Sequence, residues 1–370
     1  MASKTVKELQ EQHDPSDVVR HLRAELAEAN RLNAKQRRES GRLETFFRDL
    51  HEAVEALPAP KVDYYKPNKS SSSTPIVAVS HWTDWHMGCV VKQKETAGSN
   101  VFNPQILEHR MQNCVRSELE WVGLQRKTYD IGTNHILCTG DLINGELHYD
   151  DTVGNEQTVP QQINAAGVLL ASLVASKAPH FEKVIVDFLV VDNHGRRTKK
   201  PQSKGAGENH YGLCVGFIAQ TMLRDNPKVE FNLHTAIHQK VKVGPRRSYL
   251  LTHGDRVKGW AGFPYYGLDR LAQREAVNAM IDMQEEAAKD PEAITYETLL
   301  SLSYHRVILG HWHVPLKHPL YWIGGSAQGT TAYDFGQGRR SAPVQCSWLV
   351  HPEHGEFDMI DWKLKDEPPR

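Results

Sequence analysis

Cysteine is scarce and unpatterned in this chain. Its five residues, Cys89, Cys114, Cys138, Cys214 and Cys346, are odd in number and show no CxxC spacing. Neither a disulfide framework nor a thiolate zinc site is indicated. No apolar run approaches the roughly 18 residues that a membrane span needs. The opening segment MASKTVKELQEQHDPSD also lacks the apolar core of a signal peptide. The expectation is a cytoplasmic chain with no membrane partner. Neither sign of charge is in excess, with 44 Lys+Arg against 45 Asp+Glu and a net charge of −1, so bulk charge names no partner. At 370 residues, 39% hydrophobic and 24% charged, the chain is long and apolar enough to fold around a sizeable core rather than stay disordered. What is plentiful is histidine: 20 residues, several of them beside Asp, Asn or Gly.

The pattern divides the chain into three parts. From Ser16 to Leu57 there is no proline, while Pro15 precedes and Pro58 and Pro60 follow, which brackets one long helix. A seam of strict 3-4 spacing runs along it: Val19, Leu22, Leu26, Ala29, Asn33, Gln36, Ser40, Leu43, Phe47, Leu50, Val54, Leu57. Residues 1–57 therefore read as a helical, coiled-coil segment that makes a homo-oligomer. The other reading is an amphipathic helix lying on its own catalytic domain. Arg31, Lys35, Arg37, Arg38 and Arg42 crowd its polar centre, as a solvated face or as a contact for nucleic acid.

Residues 58–74 carry three prolines and a serine run, the composition of a linker. Beyond them, over 75–370, short β-branched runs alternate with helical patterns. They are IVAVS, a helix near 104–126, HILCT, a helix near 160–176, VIVDFLVV, a helix near 207–224, SYLLT and RVILG, then a β-rich tail ending in FDMIDWKL. Strands alternating with helices predict an α/β fold, and the closing strands without helices predict a second sheet packed on the first.

Almost every strand candidate ends in a metal-ligating residue type. Ile76–Ser80 leads to Asp84-Trp85-His86, His135–Thr139 to Gly140-Asp141, and Val184–Val191 to Asn193-His194. Ser248–Thr252 leads to His253, and Arg306–Leu309 to Gly310-His311-Trp312-His313. In open α/β sheets ligands bind beyond the carboxyl ends of strands, so these loops should converge on a site. Carboxylates, imidazoles and one amide oxygen suit manganese, iron, zinc or nickel better than calcium.

The ordered set DxH, GD, NH, H, GHxH resembles the calcineurin-like metallophosphoesterase superfamily over about residues 76 to 330. The resemblance implies a sandwich of two packed mixed β-sheets flanked by helices and holding two divalent metal ions. Carried over, it puts one metal on Asp84, His86, Asp141 and His313 and the other on Asp141, Asn193, His253 and His311, with Asp141 bridging. A metal-activated hydroxide would then hydrolyse a phosphoester, with His194 as general acid to the leaving oxygen. Manganese is the first choice of metal. The usual acidic residue after the histidine is missing, since the chain reads Asp192-Asn193-His194-Gly195; Asp192 either takes that role or pairs with Arg196 or Arg197. The Asp-Arg-Gly extension of Ser/Thr protein phosphatases is missing after Asp141, and no Arg precedes Asn193, which disfavours a protein phosphatase.

After His194 comes a basic run, with Arg196, Arg197, Lys199, Lys200 and Lys204 at the mouth of the expected site. Such a rim neutralises several phosphates at once, as a polynucleotide presents them. Arg339 and Arg340 extend the same surface or sit in a solvated loop. The stretch is similar to phage-encoded members near the double-strand-break repair nuclease branch, for which the compartment is the host cytoplasm. The expectation is a binuclear phosphodiesterase acting on DNA or RNA, with Arg196, Arg197, Lys199 and Lys200 binding substrate. Alternatives are a hydrolase of small phosphoesters such as cyclic nucleotides, and a non-catalytic scaffold.

Overall fold

The computed structural model describes residues 74–370 apart from 261–262, 291–293 and 369–370, together with residues 20, 23–31, 34, 45, 48, 52 and 54–55. The chain divides into two compact units, Met1–Leu57 and Pro58–Arg370. In the first unit residues 23–31 are helical and exposed, and Leu26 of the seam is 62% exposed. Most of the seam, its basic centre beyond Arg31 and nearly all of the 58–74 linker lie outside the described residues, and the coiled-coil expectation lies there with them.

The second unit is a mixed α/β fold of two mixed sheets flanked by helices. Its first half runs β1 (Pro75–Trp82), α1 (Pro104–Gln125), β2 (Asp130–Cys138), α2 (Tyr149–Gly154), α3 (Val159–Lys177), β3 (Lys183–Leu189), α4 (Tyr211–Leu223) and β4 (Val229–His234). Helix starts follow local chemistry. Asn103 accepts from the Ile106 amide at 2.8 Å with Pro104 at the first helical position. α4 starts at Tyr211, later than the expected start near 207, because the His210 ring accepts from the Gly212 amide at 3.0 Å and caps the helix there.

The second half runs β5 (His238–Lys242), β6 (Ser248–Thr252), α5 (Tyr265–Lys289), α6 (Tyr296–Leu302), β7 (Arg306–Leu309), β8 (Leu316–Lys317), β9 (Tyr321–Ile323), α7 (Ala332–Gly336), β10 (Val344–His351) and β11 (Gly355–Lys363). The first sheet has the order β11-β10-β1-β2-β3-β4 and the second β5-β6-β7-β9-β8. One expectation is corrected here. The closing strands do not make the second sheet; β10 pairs antiparallel with β1 and β11 with β10, completing the first. Only one edge of β1 is taken by β2, and its other row of backbone groups needs a partner once buried.

Strand alternation explains the layers. Val77, Val79, Leu137, Trp348 and Val350 of the first sheet meet Val241, Tyr249, Leu251, Ile308 and Trp322 of the second in one buried cluster. On the far face of the second sheet, Leu250, Val307, Leu309, Tyr321 and Ile323 pack with Leu268 of α5. On the far face of the first, Lys177 of α3 reaches Ser80 at 2.6 Å and Glu118 of α1 at 2.7 Å, and Glu118 accepts from Ser347 of β10 at 2.6 Å. By length and composition alone, Val159–His180 could cross a membrane; in the fold it is a largely buried core helix.

Candidate metal centre

β1, β2 and β3 run parallel in one sheet, β6 and β7 in the other, and the carboxyl ends of all five carry the expected ligands. After β1 and β2 the two loops lie side by side. The amides of Asp84, His86 and Met87 donate to the carbonyls of Gly140, Asp141 and Leu142 at 3.0–3.1 Å. Asp84, His86, Asp141, His311 and His313 all have left-handed backbone, with φ from 51° to 69°. They are five of the seven non-glycine residues in that conformation among those described. Asp and His tolerate it better than most, and such strain gathers where a side chain must be aimed. Gly310 serves close approach: a Cβ there would come 2.1 Å from Thr83 Oγ1 and 2.4 Å from Asp84 Oδ2.

All seven expected ligands meet. Asp84 and Asp141 are 0% and 1% exposed, yet among the described residues only imidazoles, and no lysine or arginine, lie within ion-pair distance of them. Buried carboxylates are normally paired or bound to metal. Burial raises the Asp84 carboxyl, with the His313 and His253 rings pulling the other way. Burial also works to raise Asp141, but the facing His253 and His194 outweigh it and hold that carboxyl well below the usual range.

The imidazoles are held from behind. His86 Nδ1 lies 3.2 Å from Asn144 Oδ1, His253 Nδ1 2.8 Å from the Thr139 carbonyl and His313 Nδ1 3.3 Å from Asp334 Oδ2. With each Nδ1 protonated to serve its acceptor, each Nε2 turns a lone pair into the centre. There His86 Nε2 and His313 Nε2 stand 3.1 Å apart, and His253 Nε2 is 3.0 Å from Asp141 Oδ2 and 2.9 Å from Asn193 Oδ1. His311 Nδ1 also lies 2.9 Å from Asn193 Oδ1. In that tautomer acceptors face acceptors, and a cation among them relieves the repulsion. Without one, burial works against charge on the rings, but Asp141 holds the His253 ring, and Asp334 with Asp84 the His313 ring, toward the protonated form. The donor set fits divalent metal in two groups that share no residue, Asp84-His86-His313 and Asp141-His253-His311, linked by a third, His86-Asp141-His194, with Asn193 beside the second of the two.

His194 is partly buried at the open side. Its Nδ1 donates to the Asn144 carbonyl at 2.6 Å, which leaves Nε2 toward Asp141 at 3.9 Å. Asp192 takes neither expected role: it accepts from the amides of Asp141 and Gly195 at 2.9 and 2.6 Å and lies 3.5 Å from His210. The carboxylate near His194 is instead Asp151 of α2, 3.6 Å from Nδ1. Asn144, Asp151 and Asp334 were missed from sequence. Asn144 lies three residues beyond Asp141 and had a positional hint; the other two had none.

The basic run splits. Arg196 donates to the carbonyls of Thr198 and Lys199 at 3.1 and 3.3 Å, and Arg197 donates to Asn209 at 2.6 Å, so both brace their own loop. Lys199, Lys200 and Lys204 are exposed. Arg339 lies 3.9 Å from Asp334, behind His313, and Arg340 packs over Phe335.

No family model matches the chain, and no curated protein matches it in sequence. Among solved structures it is similar to the hypothetical protein PH1004 from Pyrococcus horikoshii OT3, at 14% identity and TM-score 0.34 over 78% of this chain and 89% of that one. It is also similar to GAP50, the anchor in the inner membrane complex of Plasmodium, at 9% identity and TM-score 0.29 over the same shares. Likeness this distant bears on neither activity nor ligand.

Proposed function

We propose that the chain is a two-metal phosphodiesterase of the calcineurin-like metallophosphoesterase type, hydrolysing phosphodiester bonds of nucleic acid. The observation that carries the reading is the acceptor-lined centre, where lone pairs of His86, His253, His311 and His313 converge on Asp84, Asp141 and Asn193. Asp84, His86, Asp141 and His313 would hold one ion, and Asp141, Asn193, His253 and His311 the other. A pair of divalent cations, manganese first and iron, zinc or nickel as alternatives, supplies Lewis acidity toward phosphate oxygens and water.

The rest is work for the chain's own groups. His194, held by the Asn144 carbonyl, presents Nε2 to the reacting phosphate and gives a proton to the leaving oxygen. Asp151 lies 3.6 Å from Nδ1 of that ring and helps to orient it. Lys199, Lys200 and Lys204 draw in the flanking phosphates, while Arg196 and Arg197 keep their loop in shape. The test is hydrolysis with added manganese of plasmid, single-stranded DNA, RNA, and a bis-ester and a mono-ester of nitrophenol. Cleavage of polynucleotide and bis-ester supports the reading. Activity confined to small esters replaces it with a small-phosphoester hydrolase, and inactivity on all five leaves a scaffold.

A further inference from the structure

We propose that Trp260 is a stacking platform for an unpaired base, so that the polynucleotide is single-stranded where it is attacked. The inference rests on the nuclease reading above. Seven of the eight tryptophans are buried or half-buried, whereas Trp260 is 83% exposed. An accessible indole face next to cationic side chains is a surface on which a base can stack.

Its position supplies the rest of the argument. Trp260 lies seven residues after the ligand His253. Its neighbour Gly259 sits on the ring of Trp312, where a Cβ would come within 2.5 Å, and Trp312 is the residue between His311 and His313. Trp260 and Phe263 exchange both backbone hydrogen bonds, at 3.0 and 3.2 Å, and the Phe263 ring lies 6.2 Å from Trp312. The aromatic arm is therefore built onto the wall that carries the second sheet's ligands.

Charge runs into the same arm. Arg256 donates to the Gln202 carbonyl and to Ser203 Oγ at 3.4 Å, tying the arm to the loop that displays Lys199, Lys200 and Lys204; Lys258 is exposed beside Trp260. Cations next to an accessible ring suit a single strand, whose phosphates and base faces are both available. A duplex keeps its bases stacked inside.

The test uses the full chain with manganese, an oligothymidylate, a blunt duplex of equal length and a chromogenic diester. Trp260→Ala should raise KM for the single strand roughly ten- to hundredfold, the range expected for losing one base–aromatic stack. Its kcat should hold, KM for the duplex should change little, and Trp260→Phe should recover most of the loss. Thermal unfolding checks that both variants fold. Equal KM changes on both polynucleotides, or none on either, overturn the inference. So does a smaller mass by light scattering for Trp260→Ala, which would make the arm a contact between copies. A wild type that cleaves the diester but neither polynucleotide removes the nuclease reading as well; a wild type matched by Trp260→Ala on single strands removes the inference alone.

Discussion

His194 and the residues around it show what a motif does and does not carry. The ligands were legible because each follows a strand run at short range, so type and position could be read together. Asp151 and Asp334 were not, since each reaches the site from a helix whose placement depends on the whole fold. For Asp141→Ala, Asp84→Ala and His313→Ala we expect hydrolysis to be abolished with the fold retained, checked by rate, metal content and circular dichroism, because on the proposed reading these groups hold the metal and they do so from loops. His194→Gln should keep its metal and lose about 10²–10⁴ in kcat, as a missing general acid does. A smaller loss, about 10- to 100-fold, is expected for Asp151→Asn, since Asp151 faces the His194 ring and accepts from Asn144 at 3.2 Å, and so acts through other side chains. Metal loss in the His194 variant would make it a ligand instead.

Among elements, the apolar strands and helices of the first half were legible from periodicity. β5 and α5 were not, since HQKVK and a helix with only Leu268, Ala272 and Ala279 buried lack the pattern; β4 went unread although Val229, Phe231 and Leu233 alternate with polar residues in it. The sheet that β10 and β11 join depends on the unpaired edge of β1, which no local window contains. Helices α1 and α3 are locked to the first sheet by Lys177 and Glu118, 1% and 2% exposed. Lys177→Met alone should cost about 3–5 kcal/mol by leaving Glu118 buried and unpaired, while the double change to Met and Leu should recover most of it. A denaturant-based double-mutant cycle measures both.

A second cross-strand group is pH-sensitive. Asp187 of β3 accepts from His135 of β2 and from His234 of β4, the latter at 2.7 Å. Burial works to raise its carboxyl, but the two imidazoles win and hold it well below the usual range. A depressed carboxyl stabilises the fold above its unfolded value of about 3.9, and that stability is lost as pH falls through the folded value. Asp187→Asn should therefore be less stable than wild type at pH 5, with the gap narrowing below about pH 4.

At the scale of the molecule, the centre draws Asp84, His86, Asp141 and Asn193 from one sheet and His253, His311 and His313 from the other. Chelation should lower the melting temperature of the whole second unit, since a ligand at about 100 times its Kd adds about 2.7 kcal/mol to the folded state. Scanning calorimetry with and without chelator checks it. Deleting residues 1–60 should lower the oligomeric mass, because that is where the seam lies, and leave hydrolysis of a chromogenic diester intact. Unchanged mass by light scattering would mean that the seam does not join copies.

The ligands are also spread through time. A chain leaving the ribosome presents Asp84 first and His313 only after 229 further residues, and β1 gains its second neighbour later still, when Val344–His351 emerges. Every shorter nascent chain lacks either a ligand or the strand that fixes the first ligand loop. On the proposed reading, competence to cut would therefore arrive late in translation, and partial products would carry no stray cleavage.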